Sequence, residues 1–421
     1  MGGILFALFA VFLILGVPIG FVLALSSVGA IFYADLPPIL LSQRFFSALN
    51  SFPLMAIPLF MLAGSIMGHG GITRRIIDFA LSIVGNIRGA LAHVVAVTGV
   101  IMGGISGSGV ADTAALASVM IPEMKKRKYD VGFSAALVAA SGSIALIIPP
   151  SIALIIYGVT TQASIGDLFM AGIIPGLLIG GGFFLYSYYV AKKNNYPNEG
   201  KVTVKGIWSS FKSAIFALAM PVIIIVGIKG GAFTATEGGA IISAYALIVS
   251  MFIYKELKLK DLPKICFEAV ISTSVISTII AATSLFSWLL ASQQIPQHIT
   301  STLLGITDNK IFLLLIINVL LLIVGMFLDS GPAIMLLAPI LAPVASNLGV
   351  DPVQFGLIMV INLTIGLLTP PVGTSMYVAS NISGVPIMQL SKKLIPFWFI
   401  MITVLLLITY VPGITTMVIG K

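Results

Sequence analysis

Charged residues are scarce. Asp, Glu, Lys and Arg make up 9% of the 421 residues, against about 25% in a soluble domain, which excludes an ordinary water-soluble globule. Cysteine occurs once, at Cys266, so no disulfide can form within the chain. Histidine occurs only at His69, His93 and His298, and with a single cysteine this leaves no zinc-binding spacing. Acids are scarcer than bases, 14 against 22, for a formal charge of +8. The bases lie in short loops between apolar runs, with no basic stripe interleaved with aromatics, so the pattern argues against nucleic acid and for membrane orientation. The opening MGGILFALFAVFLILG has neither the basic start nor the small-residue cleavage site of a signal peptide and reads as a retained membrane segment. What is abundant is apolar: 58% of the residues are hydrophobic and the mean hydropathy is +1.13, which makes the lipid bilayer the solvent.

A membrane helix needs about 20 apolar residues to cross about 30 Å of hydrocarbon. Runs that meet or approach this length lie near 3–33, 52–69, 131–158, 168–191, 213–229, 236–254, 265–291, 353–379 and 394–412. Two further stretches, about 89–121 and 311–342, are interrupted midway by Gly, Ser, Asp and Pro. Each suits a re-entrant hairpin, allowed where its tip is buried in protein or lines a cavity. With both read as hairpins, 18 of the 22 basic residues share one side, from Arg74, Arg75 and Arg88 through Lys125–Lys128 to Lys392 and Lys393. The positive-inside rule makes that side cytoplasmic, and the asymmetry collapses if either hairpin is a complete span. The first segment starts inside if it is one span; Gly16-Val17-Pro18 offers a split into a helix pair.

An offset of 221 residues aligns Pro122 with Pro343, Pro149 with Pro370, Pro150 with Pro371 and Pro175 with Pro396. Asp130 with Asp351 and Tyr189 with Tyr410 match at the same offset. Proline fills only 22 positions, so these coincidences indicate an internal repeat. The topology turns the two copies in opposite senses, and such inverted repeats with broken helices mark secondary transporters that bind substrate and ions near the midplane. The expected fold is therefore an all-α polytopic membrane protein. Residues 1–191 form the first inverted repeat, 192–212 a cytoplasmic linker and 213–421 the second repeat, with broken helices at about 131–158 and 353–379.

Chemistry concentrates at the interruptions. The first hairpin tip, Gly103-Gly104-Ile105-Ser106-Gly107-Ser108-Gly109-Val110-Ala111-Asp112-Thr113, places hydroxyls and a carboxylate where polar atoms are expensive. Freed carbonyls and Ser oxygens suit Na⁺, and a half-helix N-terminus suits an anion. The glycines alone equally suit close helix packing. In Ser141-Gly142-Ser143-Ile144-Ala145-Leu146-Ile147-Ile148-Pro149-Pro150-Ser151, the double proline breaks the helix, and its unwound carbonyls take either a cation or neighbouring helices and water as partners. The second copy has Gly325-Met326-Phe327-Leu328-Asp329-Ser330 and then Asn362, Thr364, Gly366, Thr369, Pro370, Pro371 and Thr374. Two similar but nonidentical sites suggest at least two coupling cations with substrate between them. Asp329 is either a half-helix cap or an ion ligand. Glu237 reads as an N-terminal cap, and His69 and His93 as interfacial residues.

The motifs GGISGSGVADTAA, SGSIALIIPPS, GMFLDSGPAIMLLAPI and GLLTPPVG, with LSQRFFSALNSFPLMAIPLFMLAG near the start, resemble the large membrane subunit of tripartite ATP-independent periplasmic (TRAP) transporters over nearly the whole chain. The resemblance implies a sodium-coupled elevator-type importer in the bacterial inner membrane. Its implied partners are a small four-helix membrane subunit and a periplasmic substrate-binding protein that delivers an organic acid anion such as sialic acid or a C4-dicarboxylate. It implies that Ser106, Ser108 and Asp112 line the substrate and ion region; the residues themselves offer Ser143, Asn362 and Thr374 as further substrate candidates. It implies Na⁺ near Gly142, Ile147 and Pro149 in one half and near Gly325, Gly366 and Thr369 in the other, to which the residue reading adds Ser106 and Asp329 as cation candidates. Three competing readings are a standalone divalent-anion sodium symporter, an intramembrane enzyme built on Ser106, Ser108 and Asp112, and a noncatalytic scaffold. The enzyme has no histidine near those residues in sequence and no HExxH pattern, and the scaffold leaves the polar hairpins unexplained.

Overall fold

Proline, glycine and short polar caps decide where the apolar helices stop. A computed structural model of the chain describes residues 1–421 apart from 201, 296, 299, 300, 302–304, 306–308, 420 and 421. Among the described residues the fold is helical throughout, and eight helices are long and apolar enough to cross a membrane. Large apolar side chains face outward, including Phe32, Phe46, Phe252, Phe267 and Phe399, each at least 65% exposed. Such a surface is tolerable in lipid and not in water.

The N-terminal run is not one span. Helices α1 (Gly2–Ile14) and α2 (Ile19–Tyr33) pack on each other, because Gly16 turns with φ 75° and Pro18 restarts the chain. Thirteen residues reach only about 20 Å, short of the hydrocarbon thickness. The single-span alternative, and the inside start that depended on it, is therefore corrected to a helix pair. Next come α3 (Ile39–Leu49), α4 (Ala56–His69) and α5 (Ile72–Val84).

Both interrupted stretches fold as helix–turn–helix units. The first is α6 (Ala90–Ser106) and α7 (Gly109–Lys126), followed by α8 (Val131–Ser143), a short 3₁₀ turn, the Pro149-Pro150 break and α9 (Ile152–Thr161). Then follow α10 (Ile165–Lys193), α11 (Val204–Lys229), α12 (Ala235–Ile248) and α13 (Leu262–Ser292). The second hairpin is α14 (Lys310–Phe327) and α15 (Ser330–Asn347), followed by α16 (Pro352–Gly366), the Pro370-Pro371 break, α17 (Thr374–Ser383) and α18 (Ile387–Tyr410). The offset read from the prolines holds for whole elements: α7, α8, α9 and α10 recur as α15, α16, α17 and α18. The caps recur too, since Asp130 Oδ1 accepts the Phe133 N–H at 2.6 Å and Asp351 Oδ1 accepts the Val353 N–H at 2.8 Å.

The halves interlock. Besides packing on its own broken helix, α7 packs against α17 of the other half, and α15 packs against α9. Tyr157 on α9 donates its hydroxyl to the Pro352 carbonyl at 2.9 Å. Hairpins and broken helices thus pack as one body.

The linker differs from expectation. Residues 192–193 complete α10 and 204–212 already belong to α11, leaving a short strap that is fastened down. The Gly89 N–H donates to the Pro197 carbonyl at 3.0 Å, the Glu199 N–H to Gly85 at 2.8 Å, and Arg127 pairs with Glu199 at 2.7 Å. Tyr129 stacks on Tyr196 with centroids 4.2 Å apart. The strap ties the base of the first hairpin to the start of α11.

Candidate substrate and ion site

The first tip turns at Gly107, whose φ of 66° is a conformation only glycine adopts without strain. Ser106 Oγ accepts the Ser108 N–H at 3.2 Å, and Ser108 Oγ caps α7 by accepting the Ala111 N–H at 3.4 Å. The Gly107 carbonyl accepts the Ile152 N–H at 3.3 Å, so the tip is bonded to the far side of the double-proline break. The second tip repeats this, with the Val372 N–H donating to the Met326 carbonyl at 3.1 Å. Each break therefore presents its backbone to a hairpin tip.

Two cavities meet at Ser108 and Met61. One, of about 230 Å³, is bounded by Gly107, Ser108 and Gly109 of the first tip and by Asp329, Ser330 and Gly331 of the second, with Leu146 and Leu367 from the two breaks. The other, of about 350 Å³, is lined by Ser106, Ser108 and Asp112 of the hairpin, Ser65 and His69 of α4, and Glu268 and Ser272 of α13. Asp112 is 2% exposed, and its Oδ2 has no hydrogen-bond partner. A buried carboxylate oxygen without a partner is costly.

The remaining candidates divide into backbone sites and packed side chains. Gly142 lies against Thr113, and the Ile147 carbonyl points at Gly172 close to Pro149 and the break. Gly325 and Gly366 touch backbone to backbone, an approach that a side chain on Gly366 would block. Thr369 Oγ1 donates to the Ile365 carbonyl at 2.7 Å, whereas Thr374 Oγ1 is buried without a partner. Asp329 Oδ1 accepts the Ser330 N–H at 2.9 Å, so it does cap α15 while also lining the cavity between the tips. Ser143 and Asn362 are both fully buried, and neither lines the two cavities. Ser143 Oγ donates to Ala140 at 2.7 Å within its own helix. Asn362 Nδ2 donates to Asn318 Oδ1 at 2.7 Å, and Asn318 Nδ2 to Thr409 Oγ1 at 3.2 Å, a polar chain joining α14, α16 and α18. Asn362 Oδ1, like Asp112 Oδ2, is buried without a partner.

The chain matches the family model described as tripartite ATP-independent periplasmic transporter, DctM component, over residues 6–414. The chain belongs to this family. A sialic acid TRAP transporter large permease protein of Vibrio cholerae is 39% identical over 95% of this chain and 94% of its own length. An isethionate TRAP transporter permease protein of Oleidesulfovibrio alaskensis is 42% identical over 98% of this chain, which spans 65% of that relative's length. These relatives are named as transporter permeases and not as enzymes, which sets aside the enzyme reading. The fold is shared with the solved YdaH transporter of Alcanivorax borkumensis, at TM-score 0.61 and 16% identity over 89% of this chain and 87% of that one. It is shared also with MtrF of Neisseria gonorrhoeae, at TM-score 0.61 and 14% identity over 88% and 83% of the two chains.

For this DctM-family chain, the residues that sequence reasoning missed come from α4 and α13. Glu268 lies inside an apolar run and 3.9 Å from His69 Nε2, and an acid in such a run was the available signal. Glu237 completes the expected cap: its Oε2 accepts the Thr234 N–H at 2.7 Å, and its own N–H donates to Thr234 Oγ1 at 3.3 Å. His93, in the first turn of α6, is buried with its ring on Phe184, centroids 4.2 Å apart.

Proposed function

We propose that this chain is the large membrane subunit of a sodium-coupled importer of an organic acid anion, working with a small membrane subunit and a periplasmic substrate-binding protein. The observation that carries the reading is the convergence of both hairpin tips and both breaks on one cavity. That cavity offers N–H groups, hydroxyls and carbonyls, with one carboxylate and no basic side chain among its lining residues. An anion there is held by helix N-termini and hydroxyls, with cations nearby offsetting its charge. The three-part assembly follows the family's description. The substrate class follows relatives named for sialic acid, C4-dicarboxylate and isethionate, all acids.

In this reading the side bearing Arg74, Arg75 and Lys125–Lys128 is cytoplasmic, and the repeats are inverted. At least two Na⁺ bind, one near Ser106, Gly142, Ile147 and Pro149 and one near Gly325, Asp329, Gly366 and Thr369. Cations bound first order the tips, and the interlocked hairpin body then carries substrate past α4 and α13 in an elevator movement. The test is uptake in proteoliposomes holding this chain and its small subunit. The substrate is the ligand found in the copurifying binding protein. Uptake is expected to need both the binding protein and an inward sodium gradient. Full uptake with only a proton gradient refutes sodium coupling, and full uptake by this chain alone refutes the three-part assembly.

A further inference from the structure

The chain passes from α4 to the first hairpin through Gly70-Gly71 and α5. Gly71 has φ 70°, and a Cβ on Gly70 or Gly71 would collide with Ser250 or Glu256, so this elbow lies flush against the segment after α12. Arg75, one turn into α5, closes the contact. Its Nη1 donates to the Gly71 carbonyl at 2.9 Å and to Glu256 Oε1 at 2.6 Å, and its guanidinium carbon lies 3.7 Å from the centre of the Tyr254 ring. The receiving side is itself fixed: Tyr254 donates its hydroxyl to Ser213 of α11 at 2.9 Å, and the Glu256 N–H donates to Ser250 at 3.1 Å. The Arg75 side chain is only 19% exposed, which strengthens the pair relative to a freely solvated one. Gly68, His69 and Thr73, which flank the elbow, line the cavity that reaches Ser106 and Asp112.

We propose that Arg75 is a positioning residue: its clamp on Glu256 and Tyr254 holds the Gly70–Gly71 elbow so that this cavity stays open at its His69 end. The proposal rests on the transport reading above, because α5 is the covalent link between α4 and the hairpin that moves. Movement of the hairpin away from this arrangement requires the elbow to bend and the clamp to release. Arginine is needed in place of lysine, since only a planar guanidinium can lie on the ring while its N–H groups reach a carbonyl and a carboxylate.

The test reads cavity access directly. On a Cys266→Ser background, Ala114→Cys places a thiol in the cavity wall on α7. The whole transporter in membrane vesicles is labelled with a membrane-impermeant maleimide from each face in turn. Removing one partly exposed ion pair and one cation–π contact is expected to slow labelling about three- to tenfold in Arg75→Ala, with Glu256→Gln slowed in the same direction. Arg75→Lys should recover less than half of the loss, and the double variant should be no slower than the slower single one. Thermal midpoints are measured alongside. Labelling of Arg75→Ala at the parent rate or faster overturns the proposal, as does a slowing confined to variants whose midpoint has fallen. A parent thiol that labels only from the outer face refutes the assigned sidedness instead, and the Arg75 effect is then read on that face.

Discussion

Replacing Asp112 with Asn separates function from stability, because the two should move in opposite directions. The side chain is 2% exposed and Oδ2 has no partner, while the Ser106 and Ser108 hydroxyls line the same cavity. The amide NH2 is left unpartnered as the oxygen was, but burying a carboxylate's charge costs more than burying a neutral amide, so without sodium the amide variant should be at least as stable as the parent and up to about 1–3 kcal/mol more so. A charge-assisted contact to a bound ligand is worth about 1.5–3 kcal/mol, and its loss should weaken apparent sodium affinity about tenfold or more. A tenfold weaker site forfeits about 1.4 kcal/mol of ligand stabilisation at saturating sodium. The assay is thermal unfolding of the purified complex across a sodium series, paired with uptake in proteoliposomes. The expected result is an equal or higher midpoint without sodium, a smaller upward shift with it, and reduced uptake. Full uptake with the parent's sodium dependence removes Asp112 from the site. A midpoint that falls without sodium shows that Oδ2 does have a structural partner.

Further variants test other contacts. Gly366→Ala drives a methyl into the Gly325 backbone, so α14 and α16 must separate; overpacking of this kind costs about 1–3 kcal/mol, read as a lower thermal midpoint together with lost uptake. Asp329→Ala removes the α15 cap and should cost about 1 kcal/mol, whereas Asp329→Asn keeps the cap and the midpoint but should reduce uptake at limiting sodium. Unchanged uptake in the Asn variant leaves Asp329 as a cap alone. Glu199→Gln weakens the Arg127 pair, and hydrogen exchange should then quicken about tenfold at the Gly89 and Glu199 amides that hold the strap. Unchanged exchange there means the ion pair does not fasten the strap. Asn318→Ala leaves one Asn362 Nδ2–H without a partner while the other still donates to the Ile358 carbonyl, and should destabilise by about 1–3 kcal/mol, measured by the same thermal assay.

The primary sequence by itself determined the solvent, the helical class, the two interrupted hairpins, the double-proline breaks and the repeat offset. Each depends on chain-local physics: apolar run length, the missing N–H of proline, and short polar caps such as Asp130, Asp351 and Glu237. The family was legible for the same reason, since its motifs sit at those interruptions. Only the tertiary structure decided which polar atoms face a cavity. Ser143 and Asn362 look alike along the chain, yet Ser143 Oγ is spent on the Ala140 carbonyl whereas Asn362 donates to Asn318 and keeps Oδ1 without a partner. His69 and Glu268, nearly two hundred positions apart, become neighbours on one wall through the packing of α4 against α13. The first segment was open between one span and two because Gly16 and Pro18 permit a turn, and the packing of α1 on α2 selected it. The strap around Glu199 was hidden because a polar stretch reads the same whether it floats in water or accepts hydrogen bonds from a distant helix base.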